Sequence, residues 1–375
     1  MKGERIMEDT KMKALDRLNE ELEKVYLGPL WEKLGKMVTP EPDHEVMPYL
    51  WKWETIRKYL LEAGELLRLG RESERRVVYL QNPSLLKQGL IGYSTNTLYV
   101  GVQLLLPGEV APAHRHSQSA IRFIIEGEGA YTAVDGERTY MERGDLILTP
   151  AWTWHDHGHE GTEPVIWMDG LDVGLVRNFA GSFFEPYSED VFPVSVPHNG
   201  STFKYATGAL RPVSDRKRKG YPSPLISYKW KTTKQVLENL SKLDPDPYDG
   251  YAVDYINPLT GGSADLRIGT TMQKLTPGMH TKAHRHVHSA VYHVLDGEGY
   301  TIINGVKFEW AKGDFFILPP WSWHEHVNTG AGDAHLFSIN DLPIMERLDL
   351  EREEAYDKNG GYQSIIDVFE PLSQV

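Results

Sequence analysis

Over residues 8–36, Leu15, Leu18, Leu22, Val25 and Leu30 recur every three to five positions among charged side chains. That spacing predicts an amphipathic helix, with Thr10 placed to cap it. A second helix is expected across 53–66. Past residue 90 the pattern changes to short apolar-rich runs, among them LYVGVQLL, IRFII, YTAV and DLILTP. Asp135-Gly136 and the E-G-E-G stretch at 126–129 interrupt them as turn signals. Short strands at such spacing predict an all-β sandwich or barrel. The stretch 176–250 is mixed and rich in proline, with a helix expected at 233–243. Beyond Pro343 the text again reads as helical.

The β-type text occurs twice. PGEVAPAHRHSQSAIRFIIEGEGAYTAVDGERTYMERGDLILTPAWTWHDH at 107–157 is matched by PGMHTKAHRHVHSAVYHVLDGEGYTIINGVKFEWAKGDFFILPPWSWHEH at 277–326. The offset is 170 residues at His114/His284 and 169 at His155/His324, so one residue has been lost near the Asp135-Gly136 and Asn304-Gly305 turns. A period of that length is two copies of a domain rather than a solenoid. The organisation expected is a helical arm over 1–90, a barrel over 91–180, a linker with a helix over 181–260, a second barrel over 261–342 and a helical tail over 343–375.

Composition narrows the function. Forty Lys and Arg against 53 Asp and Glu leave a net charge of −13, which argues against nucleic acid as a partner; the basic RKRK run at 216–219 reads as a solvated loop. No apolar run approaches a membrane span, so no membrane partner is expected. The opening MKGERIMEDTKMK has no apolar core of a secretory signal, making the cytosol the default location. With no cysteine there is no thiolate chemistry. Of the 15 histidines, 12 fall in the windows 114–159 and 280–326, about a quarter of the chain; that clustering points to ligands rather than scattered core residues.

His114 and His116 are two apart, so on a strand they share a face. With His155 they form a set of three imidazoles suited to a divalent first-row metal; imidazole alone does not choose among Zn, Fe, Ni and Cu. His284, His286 and His324 repeat the set as a candidate second metal site. Arg122 shares the parity of His114. It either neutralises a bound anion through its fork or pairs with an internal acid such as Glu126 or Glu128. The second copy has Tyr292 there, which makes the first copy the better catalytic candidate. His157 shares the face of His155 and is positioned to donate to a substrate or oxygen atom. Gln118 shares the ligands' parity, Asp169 and Asp172 are placed to orient neighbours or to cap a strand end, and Tyr99 is placed to line the wall. The pairs Trp152/Trp154 and Trp321/Trp323 read as packing.

Gly108, His114, His116, Gly127, Gly144, Pro150 and His155, and in the second copy Gly278, His284, His286, Gly297, Gly313, Pro319 and His324, follow the cupin signature. The chain thus resembles a bicupin, a tandem of jelly-roll (double-stranded β-helix) barrels. It departs at the signature's glutamate, which is Ala120 and Ala290 here. That loss argues against the oxalate decarboxylase type, whose manganese takes three His and that Glu. HRHSQSAIRFIIEGEG, GDLILTPAWTWHDHGH, WMDGLD (167–172), PLW (29–31) and VMPYLWKW (46–53) resemble gentisate 1,2-dioxygenase and its relatives, salicylate 1,2-dioxygenase and 1-hydroxy-2-naphthoate dioxygenase. The resemblance implies Fe(II) at the first triad and a small aromatic carboxylic acid and O2 as partners. It further implies opening of gentisate to maleylpyruvate, arginines from RLGRESERR (Arg71 and Arg75) reaching the substrate, and a homotetramer. Arg122 and His157 are the expected catalytic residues, with Arg71, Arg75, Arg122, Gln118 and Asp169 around the substrate. The alternatives are the same cleavage of salicylate or 1-hydroxy-2-naphthoate, or a non-catalytic metal-binding bicupin.

Overall fold

The computed structural model describes residues 2–70, 73–205 and 210–372, and the chain divides into two compact units, Met1–His44 and Glu45–Val375. In the first, α1 (Lys2–Lys24) and α2 (Leu30–Met37) replace the single helix expected over 8–36. Tyr26 takes a left-handed conformation (φ 58°), the Leu27 amide turns back to the Leu22 carbonyl at 2.9 Å, and Gly28-Pro29 follows. That geometry ends a helix. Thr10 is not a cap: it lies within α1, its hydroxyl donating to the Ile6 carbonyl. Ion pairs Arg17–Glu21 (2.8 Å) and Lys33–Glu23 (3.1 Å) lace this unit.

The second unit opens with β1 (Tyr49–Trp51), α3 (Trp53–Leu66), β2 (Val77–Tyr79) and α4 (Pro83–Lys87). A first barrel follows: β3 (Tyr99–Leu105), β4 (Val110–His116), β5 (Ala120–Glu126), β6 (Ala130–Val134), β7 (Glu137–Tyr140), β8 (Leu146–Thr149), β9 (His155–His159) and β10 (Val165–Leu171). Next come α5 (Val173–Asn178), β11 (Phe184–Pro186), α6 (Gly200–Tyr205), β12 (Ser227–Tyr228), α7 (Trp230–Leu240) and β13 (Tyr251–Asp254). The second barrel is β14 (Gly269–Leu275), β15 (His284–His286), β16 (Ala290–Asp296), β17 (Glu298–Ile303), β18 (Val306–Ala311), β19 (Phe315–Leu318), β20 (His324–Asn328) and β21 (Ala334–Asn340). After it come α8 (Leu342–Arg347), β22 (Glu353–Ala355) and β23 (Asp367–Val368). The text expected to be helical beyond Pro343 forms an α-helix only to Arg347; beyond it Glu353–Ala355 and Asp367–Val368 are extended and add strands to the barrel.

Each barrel is two sheets, β12-β8-β5-β10-β3-β2 over β11-β4-β9-β6-β7, and β1-β19-β16-β21-β14-β13 over β22-β15-β20-β17-β18-β23, antiparallel throughout except that the edge strand β23 runs parallel to β18. The Asp135-Gly136 and Asn304-Gly305 turns have positive φ at both residues, the hairpin geometry the sequence predicts. On β5, Ile121 and Phe123 face the other barrel while Arg122 and Ile124 face inward. Both sides are buried, so its hydrophobicity does not alternate. One core joins the barrels: Ile121, Phe123 and Met168 of the first pack with Val291, Phe337 and Ile339 of the second. The Phe123 and Phe337 rings stack at 3.9 Å.

The repeat extends beyond the barrels, and its flanks are exchanged. The β1–α3 segment precedes the first barrel yet pairs with β19 of the second; β12–α7 follows the first barrel and pairs with its β8. Both junctions are anchored alike. Asp314 accepts from the Trp53 amide (2.8 Å) and Lys52 Nζ (2.7 Å), and Asp145 from the Trp230 amide (2.9 Å) and Lys229 Nζ (2.6 Å). Gly313 and Gly144 precede these acids with positive φ, and a Cβ on either would fall 2.4 Å from the Trp53 ring or 2.6 Å from that of Trp230. The glycines expected from the signature thus admit a tryptophan against the backbone.

Candidate metal centre and anion pocket

Strand pairing brings the first triad together. His114 on β4 lies directly opposite His155 on β9, and His116 follows on the same face. The candidate ligand nitrogens of the three lie within 4.8 Å of one another. His116 Nδ1 donates to the Gln118 carbonyl (2.9 Å) and His155 Nδ1 to the Thr153 carbonyl (3.0 Å). Because a carbonyl only accepts, these bonds fix the tautomer and leave Nε2 with a free lone pair. The Nε2 of His155 is buried without a hydrogen-bond partner. Burial lowers the pKa of His114 to about 2, aided by Arg75 and His116, and that of His116 to about 4; His155 is pushed well below its ordinary value, again first by burial. Three neutral imidazoles with an orphaned donor atom fit a divalent cation. Ala120 occupies the glutamate position and is buried, so the signature's carboxylate has no counterpart.

Two guanidiniums flank the triad. Arg122 projects from β5 and Asp169 from β10 as direct cross-strand neighbours, with Nε 3.0 Å from Oδ1. Arg122 also donates to Thr149 Oγ1, and Asp169 accepts from Trp167 Nε1 at 3.0 Å. The internal acid partnering Arg122 is therefore Asp169, whereas Glu126 takes Trp53 Nε1 and Arg57. Arg75 lies beside His114, its Nη2 3.3 Å from both ring nitrogens and 3.0 Å from the Pro112 carbonyl. Burial lowers its pKa to about 10 with help from Arg122, so it stays charged at neutral pH. Glu74 approaches His114 Nδ1 at 3.7 Å from a partly exposed position. Arg71 lies outside the described residues.

His157 is buried beside Trp167, its Nδ1 2.9 Å from Thr132 Oγ1 and its Nε2 without a partner. The Thr132 hydroxyl reaches Met141 Sδ, so Nδ1 carries the proton and Nε2 accepts. In that tautomer His157 presents an unpartnered ring nitrogen rather than an N–H on its Nε2 side. Burial, then Arg122 and Arg75, keep it neutral. The Gln118 side chain reaches Ser182 (3.0 Å) while its carbonyl holds His116. Asp172 accepts from the Ser119 amide (2.9 Å) and pairs with Arg267 (2.8 Å). The Tyr99 hydroxyl folds over Gly101, the cross-strand neighbour of Asp169, where an added Cβ would lie 2.6 Å from it. Gln103 escaped the sequence reading. It lies on the same face of β3, buried, with Nε2 unpartnered; strand parity with Tyr99 was the available signal.

The tryptophan pairs hold an arginine. Arg115, between the two histidines of β4, points away from the triad and lies 4.5 Å from both the Trp152 and Trp154 rings, paired with Glu185 at 2.6 Å. Arg285 repeats this with Trp321 (4.3 Å), Trp323 (4.5 Å) and Glu354 (2.6 Å). Each sandwich fastens the strand bearing two ligands to the loop leading to the third.

In the second barrel His284 lies opposite His324, and with His286 their ligand nitrogens again fall within 4.8 Å. Two such triads in tandem jelly-roll barrels define a bicupin with two metal-ready centres. The Cupin domain family model matches residues 101–173 and 271–340. Gentisate 1,2-dioxygenase 1 of Aquipseudomonas alcaligenes is 43% identical over 88% of this chain and 94% of its own length. The 5-aminosalicylate 1,2-dioxygenase of Comamonas sp. is 39% identical over 96% and 95%. The crystal structure of salicylate 1,2-dioxygenase from Pseudoaminobacter salicylatoxidans with gentisate superposes with a TM-score of 0.85, at 34% identity over 92% of this chain and 94% of that one. The chain belongs to the gentisate 1,2-dioxygenase family, and so to the ring-cleaving dioxygenases.

Proposed function

We propose that the first triad holds Fe(II) and that the chain opens gentisate to maleylpyruvate with O2. The observation that carries this reading is three neutral imidazoles, with Ala120 at the signature's glutamate position, set beside two guanidinium forks. Iron bound by His114, His116 and His155 would supply the redox chemistry that joins dioxygen to the ring. Arg75 and Arg122 bind and orient the substrate carboxylate, since a planar fork matches it in a way an ammonium does not. Asp169 keeps Arg122 aimed, and its Trp167 bond keeps Asp169 in place. His157 Nε2 takes the proton from the substrate hydroxyl, leaving an oxygen of higher electron density on the ring. The buried walls of the barrel exclude bulk water. Relatives named for gentisate, and a related structure described as binding it, support the substrate; the relative named for 5-aminosalicylate marks the competing one.

The test is oxygen uptake with gentisate, with and without added ferrous iron, run beside 5-aminosalicylate, salicylate and 1-hydroxy-2-naphthoate. Iron-dependent uptake highest with gentisate is expected, and loss of both uptake and first-site iron in His155→Ala. Uptake with another acid and none with gentisate would reassign the substrate. We further propose a homotetramer, supported by the exposed Leu15 and Leu18 on α1 and Trp31 and Leu34 on α2; light scattering on the purified chain checks it.

A further inference from the structure

We propose that the second triad is a separate divalent-metal site whose cleft admits neutral or cationic ligands and turns away aromatic carboxylates. The metal site stands independently of the first site's substrate, whereas the exclusion rests on the proposed binding of gentisate at the first site; no shift with gentisate in His324→Ala would fail that reading and not the metal count.

The donor set is complete. His284, His286 and His324 are all buried. His286 Nδ1 donates to the His288 carbonyl (2.8 Å) and His324 Nδ1 to the Ser322 carbonyl (3.1 Å), which leaves Nε2 of each as a free donor atom. His284 Nδ1 is buried with no partner. Buried polar atoms ordinarily find partners, and three nitrogens turned on one another find one in a cation.

What surrounds that set is inverted in charge. Arg122 of the first barrel corresponds to Tyr292, whose ring stacks on Phe316 at 4.8 Å. Counting strand register places Gly250 at the position of Arg75: Val77 pairs with Gln103 as Ala252 pairs with Gln273. A side chain there would be strained. Gly250 has φ of +64°, and a Cβ would fall 2.8 Å from Met279 Sδ. Ser338 stands where Asp169 stands in the first barrel, being opposite Tyr292 on β21 as Asp169 is opposite Arg122 on β10. The triad opens on a cleft of about 720 Å³ lined by Asp244, Asp246, Asp249, Asp254 and Glu353, and no Lys or Arg is among its described lining residues. A cleft of one sign gathers cations and repels anions. The first site offers two forks to a carboxylate; this one offers none.

The test counts metals and then asks which of them feels the acid. The full-length chain, stripped and reloaded with Co(II), is analysed for metal as wild type, His155→Ala, His324→Ala and the double variant. Two, one, one and zero equivalents are expected; His284→Gln replaces His324→Ala should the latter fail to fold. Gentisate is then titrated against the visible Co(II) spectrum. It should shift the spectrum of wild type and His324→Ala, and leave that of His155→Ala unchanged at concentrations 100-fold above those saturating His324→Ala. One equivalent in wild type that is lost with His155→Ala overturns the metal site. A shift of the His155→Ala spectrum at the concentrations that saturate His324→Ala overturns the exclusion. Neither readout depends on turnover, so failure of ring cleavage registers separately.

Discussion

Replacing Arg122 with Met separates what the guanidinium does for the fold from what it does for a bound anion. The pair it forms with Asp169 is buried on both sides, with Nε 3.0 Å from Oδ1. Met preserves most of the apolar stem, so the loss is chiefly of charge. Breaking a buried pair from one side costs about 3–5 kcal/mol, because the partner charge is left behind. Asp169 keeps its bond from Trp167 Nε1, and burial already raises its pKa against the opposing pull of Arg122. Without that pull the carboxyl takes up a proton, and the cost falls toward the lower limit, about 3 kcal/mol. Adding Asp169→Asn removes the orphaned charge while keeping an acceptor for Trp167, and should return stability to within about 1 kcal/mol of wild type. The carboxylate of the substrate regains nothing from that second change. A hydrogen bond to a charged group is worth about 1.5–3 kcal/mol, so kcat/KM should fall about 10-fold to 150-fold in both variants. Urea unfolding and oxygen uptake on the same preparations read the two effects. Recovery of kcat/KM together with stability in the double variant would refute the reasoning, since Arg122 would then serve only as the partner of Asp169.

Arg115→Ala empties the Trp152/Trp154 sandwich and loosens the loop whose Thr153 carbonyl holds His155 Nδ1. First-site metal affinity should fall about 10-fold, measured by chelator competition; unchanged affinity would reduce the sandwich to packing. Asp145→Ala leaves Lys229 without its ion-pair partner, holding only the Tyr140 carbonyl, and the Trp230 and Glu142 amides without that acceptor. A loss of about 3 kcal/mol in urea unfolding is expected, with Asp314→Ala comparable; a loss below about 0.5 kcal/mol in either would mean these acids do not anchor the exchanged segments. His293, between Phe123 and Phe315 in the shared core, is held neutral down to about pH 3 by burial and then by Arg143. The unfolded chain binds that proton below its ordinary value near 6.5, so this contribution is complete above pH 6.5 and is lost as pH falls toward 3, by about 1.4 kcal/mol per pH unit. His293→Phe should flatten the pH dependence of urea stability between 6.5 and 5 by that amount, and an unaltered slope would show that another group governs it.

The triads were legible because their determinants are local. Two histidines at i and i+2 share a strand face, and the glycines and proline that bound the next strand fix where the third falls. The partner of Arg122 was not legible, because Asp169 is 47 positions away and becomes a neighbour only through the register of β5 on β10. Sequence proximity suggested Glu126 and Glu128 instead. Arg75 could be placed only by resemblance, since RLGRESERR has the composition of a solvated turn. The exchange of β1 and β12 was hidden for another reason. Strands of three and two residues carry no measurable period, and only the repeated Lys-Trp pairs, Lys52-Trp53 and Lys229-Trp230, marked them as equivalent. The tail beyond Arg347 has helix-favouring text but finds an open sheet edge beside β15, where Glu354 pairs with Arg285; tertiary pairing outweighs propensity there.

The two barrels differ least where a metal would be held and most where a substrate would be recognised. Ligands, their Nδ1 acceptors, the Arg–Trp sandwiches and the acid-anchored Lys-Trp junctions recur in both. All of these set geometry, and any change in one disturbs the scaffold itself. The positions facing the open side of the cation carry no such constraint: Arg122 against Tyr292, Asp169 against Ser338, Arg75 against Gly250. In the last contrast the backbone at Gly250 is left-handed (φ +64°), and a Cβ there would lie 2.8 Å from Met279 Sδ and 3.1 Å from Leu275 Cδ2. An arginine there would have to take a backbone conformation that favours glycine and displace the Met279 and Leu275 side chains. The proposed difference in anion recognition therefore follows from three contrasts together, Arg122 against Tyr292, Arg75 against Gly250 and Asp169 against Ser338, and from the acidic residues that line the second cleft.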